Sequence, residues 1–92
     1  MDLVTIIIVN WNGDNVIRHC LNSLKNLSFQ RFKVIIIDNG SKDDSLSTAR
    51  KIYPNAKFIP LFANHGFAAG NNYGLDFVDT PYTALLNNDT VV

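Results

Sequence analysis

The chain has 92 residues, eight basic and eight acidic side chains for a formal net charge of zero, and 47% hydrophobic against 17% charged residues. That length suits one small domain with a thin stability margin. The balanced charge, with no basic stripe, speaks against a nucleic-acid partner, and no apolar run approaches the roughly 20 residues of a membrane span.

The first element is "LVTIIIVN" (3–10), a β-branched run without alternation, as in a strand covered on both faces. Met1 leads straight into it with no basic region ahead, so no leader peptide is expected. Next, "DNVIRHCLNSLKNL" places Val16, Ile17, Cys20, Leu21, Leu24 and Leu27 on one helical stripe, with Arg18, His19, Asn22 and Lys25 facing out. Its lone cysteine, Cys20, cannot close an internal disulfide, which suits a reducing cytoplasm. A second buried strand follows in "FKVIIID" (32–38). The segment "SKDDSLSTARKIYP" then reads as a helix opened by a capping box, with Ser41 as N-cap and Asp44 three residues on. Its acids favour the positive helix start, and Arg50 and Lys51 the other end. "AKFIPLF" (56–62) gives a third strand and "FAAGNNYGLDFV" (67–78) a third helix, weakened by Gly70 and Gly74. "YTALLNN" (82–88) is the fourth strand candidate.

The order β-α-β-α-β-α-β predicts a Rossmann-like α/β domain: a parallel sheet, right-handed crossovers and helices on both faces. Ligands in such sheets sit beyond the carboxyl ends of the strands. That places any chemistry at residues 10–14, 38–41, 63–66 and 87–90, which are the Asn- and Asp-rich segments.

Each strand end has two readings. After strand one, Trp11 either stacks on a base or closes the sheet against helix one, and Asn10 and Asn12 either meet a ligand or satisfy the turn. A dinucleotide fingerprint would need G-x-G-x-x-G here, and only Gly13 is present. Asp38 either accepts hydrogen bonds from a ribose or base, or caps the loop through Asn39–Gly40. The third loop, "ANHGFAAGNN", brings glycines and amides close to something, while His65 reads as a solvated loop residue. At the last strand end, Asp89 is either a turn cap or the single carboxylate of a hard-metal site completed by phosphate oxygens.

Taken together, "VTIIIVNWNG" (4–13), "VIIIDNGSKDDS" (34–45), "NHGFAAGNNYG" (64–74) and "LLNNDT" (85–90) resemble the N-terminal half of family 2 glycosyltransferases, inverting enzymes of the GT-A fold, and most of all their rhamnosyltransferase-like branch. The match covers essentially the whole chain. The resemblance implies a base pocket lined by Val9, Asn10 and Trp11, with Asp38 on the uracil- or thymine-like base or its ribose. Gly66, Gly70 and Asn71 would shape the wall near the diphosphate and sugar. Asn87-Asn88-Asp89 stands at the D-x-D position, with Asn88 toward the nucleotide and Asp89 and Asn87 at a Mg²⁺ or Mn²⁺ ion. Asn87 departs from the acid usual there, so metal binding without nucleotide should be poor.

The donor implied is a UDP- or dTDP-linked sugar and the acceptor a glycan or lipid-linked hydroxyl, in polysaccharide synthesis. The setting implied is cytoplasmic, at the inner face of the membrane in a full-length protein. The family's catalytic base comes from a later segment, so residues 1–92 are expected to be a single domain, a donor-binding fragment with no catalytic base of its own. An unpaired edge strand could then support self-association. Two other classes compete: a non-catalytic binding or assembly module, and an NAD-dependent oxidoreductase, which the missing glycine fingerprint disfavours.

Overall fold

A computed structural model describes residues 2–92, so Met1, on which the absence of a leader rests, lies outside the described residues. Strands and helices alternate along the chain: β1 (Val4–Asn10), α1 (Asp14–Lys25), β2 (Phe32–Asp38), α2 (Ser45–Ile52), β3 (Lys57–Pro60), α3 (Phe67–Leu75) and β4 (Tyr82–Asn87). The strands form one sheet in the order β3-β2-β1-β4, and every pairing is parallel. This is the expected α/β arrangement, and it brings all four carboxyl ends to one edge.

The two β-branched runs lie side by side in the centre, in register from Val4 opposite Phe32 to Asn10 opposite Asp38. Side chains alternate across a strand, so each run feeds two cores. Ile6, Ile8, Val34 and Ile36 pack against Ile17, Cys20, Leu21 and Leu24 of α1 and Ala49 of α2. Ile7, Val9, Ile35 and Ile37 form a second cluster on the opposite face. That face belongs to α3, which has no broad apolar stripe. It settles instead through its glycines: a Cβ on Gly70 would lie 2.8 Å from Val9 Cγ1, and one on Gly74 would lie 2.7 Å from Ile7 Cγ2. The residues that weaken this helix locally are the ones that let it lie flat on the sheet.

Several boundaries differ from the sequence expectation. Helix α2 begins at Ser45, not Ser41. The Ser41 Oγ accepts from the Asn12 amide at 2.9 Å and from Asn10 Nδ2 at 3.3 Å, so its lone pairs face the β1 turn and not a helix start. Strand β3 covers only Lys57–Pro60 at the sheet edge, where Pro60 has no N–H to continue a ladder. Helix α3 stops at Leu75, and the Phe77 and Val78 amides turn back to the Gly74 and Leu75 carbonyls.

The two edges differ in character. The β3 edge carries Lys57 and Pro60, residues that discourage strand addition. The β4 edge reads "YTALLN", uncharged, with Tyr82 and Leu85 exposed. Among the described residues, no helix is long and apolar enough to cross a membrane.

Candidate functional site

The carboxyl ends of the strands are joined by buried amide side chains. Asn10 closes β1 and is 1% exposed. Its Nδ2 donates to Asp38 Oδ1 at 3.1 Å, to Ser45 Oγ at 2.8 Å and, more weakly, to Ser41 Oγ at 3.3 Å. A carboxylate only accepts, and the Ser41 and Ser45 hydroxyls already donate to Asp38 and Asp43, so the group facing all three is the NH₂, which fixes the amide's orientation. Its Oδ1 therefore faces the other way, and Asn88, just past β4, donates to it from Nδ2 at 2.9 Å. One side chain thus ties β1 to both neighbouring strands.

Asn39 does the same on the other side. It is buried, accepts from the His65 amide at 2.9 Å through Oδ1 and donates from Nδ2 to the Gly66 carbonyl at 3.0 Å. This holds the β3–α3 loop beside the end of β2. Gly40 adjoins it with φ +79, and a Cβ there would lie 2.7 Å from the Ala63 carbonyl carbon, so both backbone conformation and space demand glycine. Asn10 and Asn39 together link all four strand ends into one polar row.

The turn after β1 is fixed to the β2–α2 loop as well. Asn12 adopts φ 48, its amide donates to Ser41 Oγ at 2.9 Å, and its Oδ1 accepts from the Lys42 amide at 2.8 Å. Desolvation pushes the Asp43 carboxyl up, but hydrogen bonds from the Ser45 hydroxyl and amide and from the Asp14 amide outweigh it and leave that acid below its ordinary range. Trp11 projects from this braced turn, 53% exposed.

Beyond β4, the Asn87 carbonyl accepts from the Thr90 amide at 3.1 Å, and the Val92 amide donates to Ser23 Oγ at 3.1 Å. Cys20 Sγ lies 3.9 Å from the same Asn87 carbonyl. Burial, aided by the nearby Asp89 carboxylate, pushes its thiol up to about 11. The Asp89 side chain is exposed and accepts no hydrogen bond among the described residues, and no cluster of three metal-binding side chains occurs among them.

The residues singled out from sequence therefore fall into distinct groups. Trp11, Gly66, Asn87 and Asp89 lie open at the sheet edge. Asn10 and Asp38 are buried, and their side chains hydrogen-bond within the protein. Val9 sits beneath Gly70 in the α3 core. Asn71 is buried with Oδ1 lacking any partner, an acceptor enclosed without a donor. Asn88 is half-buried and bonded to Asn10. Asp38 and Asp89 follow β2 and β4, which are not neighbours in the sheet: β1 stands between them. With strands about 4.8 Å apart, that separation is about 10 Å. Asn39, Ser41 and Gly13 lie within the edge segments that the sequence pointed to, but it assigned them no part in joining the strands, and Ser45 fell outside those segments. In sequence Asn39 is only half of a turn dipeptide, and nothing local signals that its amide bridges to residues 65 and 66.

The strand amino ends border a different concavity, about 550 Å³, lined among others by Asp2, Lys25, Phe32 and Tyr53. Burial, with Asp2 nearby, holds the Tyr53 phenol above its usual range. The topology places ligands at the opposite edge, where the polar row lies.

Known proteins share this arrangement. The chain is 39% identical over 93 residues to the teichoic acid poly(glycerol phosphate) polymerase of Staphylococcus epidermidis, a match that takes in 97% of this chain and 13% of that protein. A crystal structure of S. aureus TarS in complex with UDP-GlcNAc superposes with a TM-score of 0.89 at 25% identity, covering 95% of this chain and 26% of the other. A mannosyltransferase of Pyrobaculum calidifontis, solved with GDP-Man and Mn²⁺, shares the fold at a TM-score of 0.83 and 19% identity, over 94% of this chain and 27% of its own. This chain thus spans a small part of each. The profile of "Glycosyl transferase family 2" matches residues 5–92, and the chain belongs to that family.

Proposed function

We propose that this chain is the donor-binding part of an inverting, metal-dependent glycosyltransferase of the rhamnosyltransferase-like branch. The donor is a UDP- or dTDP-linked sugar and the acceptor a glycan or lipid-linked hydroxyl in polysaccharide synthesis, handled in the cytoplasm at the inner membrane face. The observation that carries this reading is the polar row itself, with the unengaged Asp89 carboxylate beyond β4 and the exposed Trp11 ring beyond β1. Trp11 offers a face for the base, and Asp38 a carboxylate edge for its N–H or for the ribose. Gly66, Gly70 and Asn71 form the wall toward the diphosphate and sugar.

The donor set fits a hard divalent ion held jointly with a diphosphate. Asp89 supplies one free carboxylate and Asn87 a neutral amide, too few for an ion alone and enough when phosphate oxygens complete the shell. Such an ion, Mg²⁺ or Mn²⁺, neutralises charge on a departing diphosphate. The complex of the archaeal mannosyltransferase with Mn²⁺ is consistent with that assignment.

Calorimetric titration with UDP tests the reading. Affinity should rise on adding Mn²⁺, and Asp89→Ala should abolish the rise; an unchanged affinity and metal dependence in that variant would show the assignment to be wrong.

One observation favours a second reading for this chain taken alone, a binding module without transfer activity. The acids near α3 are badly placed for a general base: Asp79 pairs with Lys33 toward the amino end of β2, and Asp76 caps the helix. Transfer of labelled sugar by these residues alone would exclude it.

A further inference from the structure

We infer that Asn10 is a positioning residue that sets the Asp89-bearing turn against the Asp38 loop, so that the metal and nucleoside ends of the site are held at one spacing. The inference rests on the reading of Asp89 as the metal-contacting acid.

Asn10 has no surface to offer a ligand, being 1% exposed with both ends of its amide occupied by protein. What it does is mechanical. Asn88 is the residue before Asp89, and its bond to Asn10 is the only side-chain link from the turn to the polar row among the described residues. Apart from the β1–β4 ladder, which ends by pairing Asn87 with Val9, the other attachments of the turn run to its own backbone, through Thr90, or to α1, through Ser23 and Cys20. Without the Asn10–Asn88 bond the residues beyond that ladder would be tied only to a helix surface, and no side chain would link them to the loop that carries Asp38.

Gly13 provides an independent observation. Its φ is −101, a value any residue adopts, so backbone conformation does not call for glycine. Space does. A Cβ at this position would fall 2.3 Å from both Asn10 Oδ1 and Asn88 Nδ2, directly on the bond. The first turn of α1 is built to leave room for that one contact.

Two variants break the link by different routes. Asn88→Ala deletes the donor at a half-buried turn and leaves the bonds of Asn10 to Asp38, Ser41 and Ser45 in place. Gly13→Ala drives the two partners apart. In nitrogen-15 amide spectra of the nucleotide-free protein, both should move the backbone signals of Asp89 and Thr90 and, across β1, those of Ser41 and Ser45. Changes from Asn88→Ala confined to residues 87–90 would overturn the inference. UDP titrations with and without Mn²⁺ then read the consequence. Outer-shell supports typically contribute about 10- to 100-fold to metal affinity, so each variant should lose about tenfold or more of the Mn²⁺-dependent gain. Metal-free UDP affinity should stay within about twofold in Gly13→Ala, and the double variant should be no worse than the poorer single one. Equal losses with and without metal would mark a general structural role and overturn the inference. If the parent chain binds no UDP in either condition, the nucleotide reading fails, and the amide spectra alone decide the coupling.

Discussion

Gly74 rests directly on Ile7: a Cβ on the glycine would fall 2.7 Å from Ile7 Cγ2 and 3.2 Å from its Cδ1. Two effects of opposite sign meet there. Helix propensity alone favours Gly74→Ala by about 1 kcal/mol. Overpacking a filled core costs about 1–3 kcal/mol, and Cγ2 of a β-branched residue in a central strand cannot swing away. The second effect should prevail, giving a net loss of up to about 2 kcal/mol in urea unfolding with a lower midpoint. A more stable variant would mean that α3 does not seat on β1 in this way.

Asp38 illustrates how a residue singled out for binding can also be structural. Its carboxylate accepts from Asn10 Nδ2, from the Ser41 hydroxyl at 2.7 Å and from the Ser41 amide at 3.1 Å. Asp38→Ala would strand those donors in a buried setting, at about 2–3 kcal/mol of stability. Asp38→Asn keeps one acceptor oxygen and the side-chain volume, and should lose less. If both variants fold with unchanged stability, the hydrogen-bond cluster at the end of β2 is not organised as described. A fall in UDP affinity for Asp38→Asn at near-native stability would separate the binding role from the scaffold role.

Much of the fold was legible because the strongest signals were long apolar runs. "TIIIV" and "VIII" have few alternatives to central parallel strands, and they form β1 and β2 in register. The start of α2 was not legible because Ser41 and Asp44 carry the capping-box spacing, and spacing cannot reveal that the Ser41 oxygen is taken by donors from the end of β1, the Asn12 amide and Asn10 Nδ2. The same limit applies to the site. Sequence order brings Asp38 and Asp89 to one sheet edge, but whether β1 lies between them depends on strand order, which one chain of alternating elements does not fix. The roles of Asn39 and Gly13 are non-local, set by residues such as His65 and Asn88, 26 and 75 positions away, and they leave no local trace.

Trp11 is the only tryptophan in the chain and is half exposed at the mouth of the row, so its emission reports on that mouth alone. If a pyrimidine base stacks on the ring, UDP with Mn²⁺ should quench the fluorescence in a saturable way. Base–aromatic stacking contributes about 1–3 kcal/mol, so Trp11→Ala should weaken UDP by about five- to 150-fold. Ribose 5-phosphate, which lacks a base, should leave the emission unchanged. Quenching by the base-free sugar phosphate, or full affinity in the alanine variant, would place the base elsewhere.

Cys20 gives the pH dependence a definite sign. Its thiol ionises near 9.0 in the open chain and at about 11 in the folded protein, because burial disfavours the thiolate and the Asp89 carboxylate adds to the effect. Below pH 9 the thiol is neutral in both states, and the full stability is present. As pH rises from 9 toward 11 the unfolded chain releases its proton first, so unfolding gains and stability falls. Each pH unit between the two ionisations corresponds to about 1.4 kcal/mol, so the loss approaches about 2–3 kcal/mol by pH 11. Lysines and tyrosines also titrate in this range, so the difference between the parent chain and Cys20→Ala isolates the thiol. Urea midpoints at pH 8 and pH 10.5 should converge for the two proteins as pH rises, with the parent losing more. Parallel declines would show that Cys20 ionises as readily folded as unfolded, and that the floor beneath the Asn87–Asp89 turn is wetter than its packing against α1 implies.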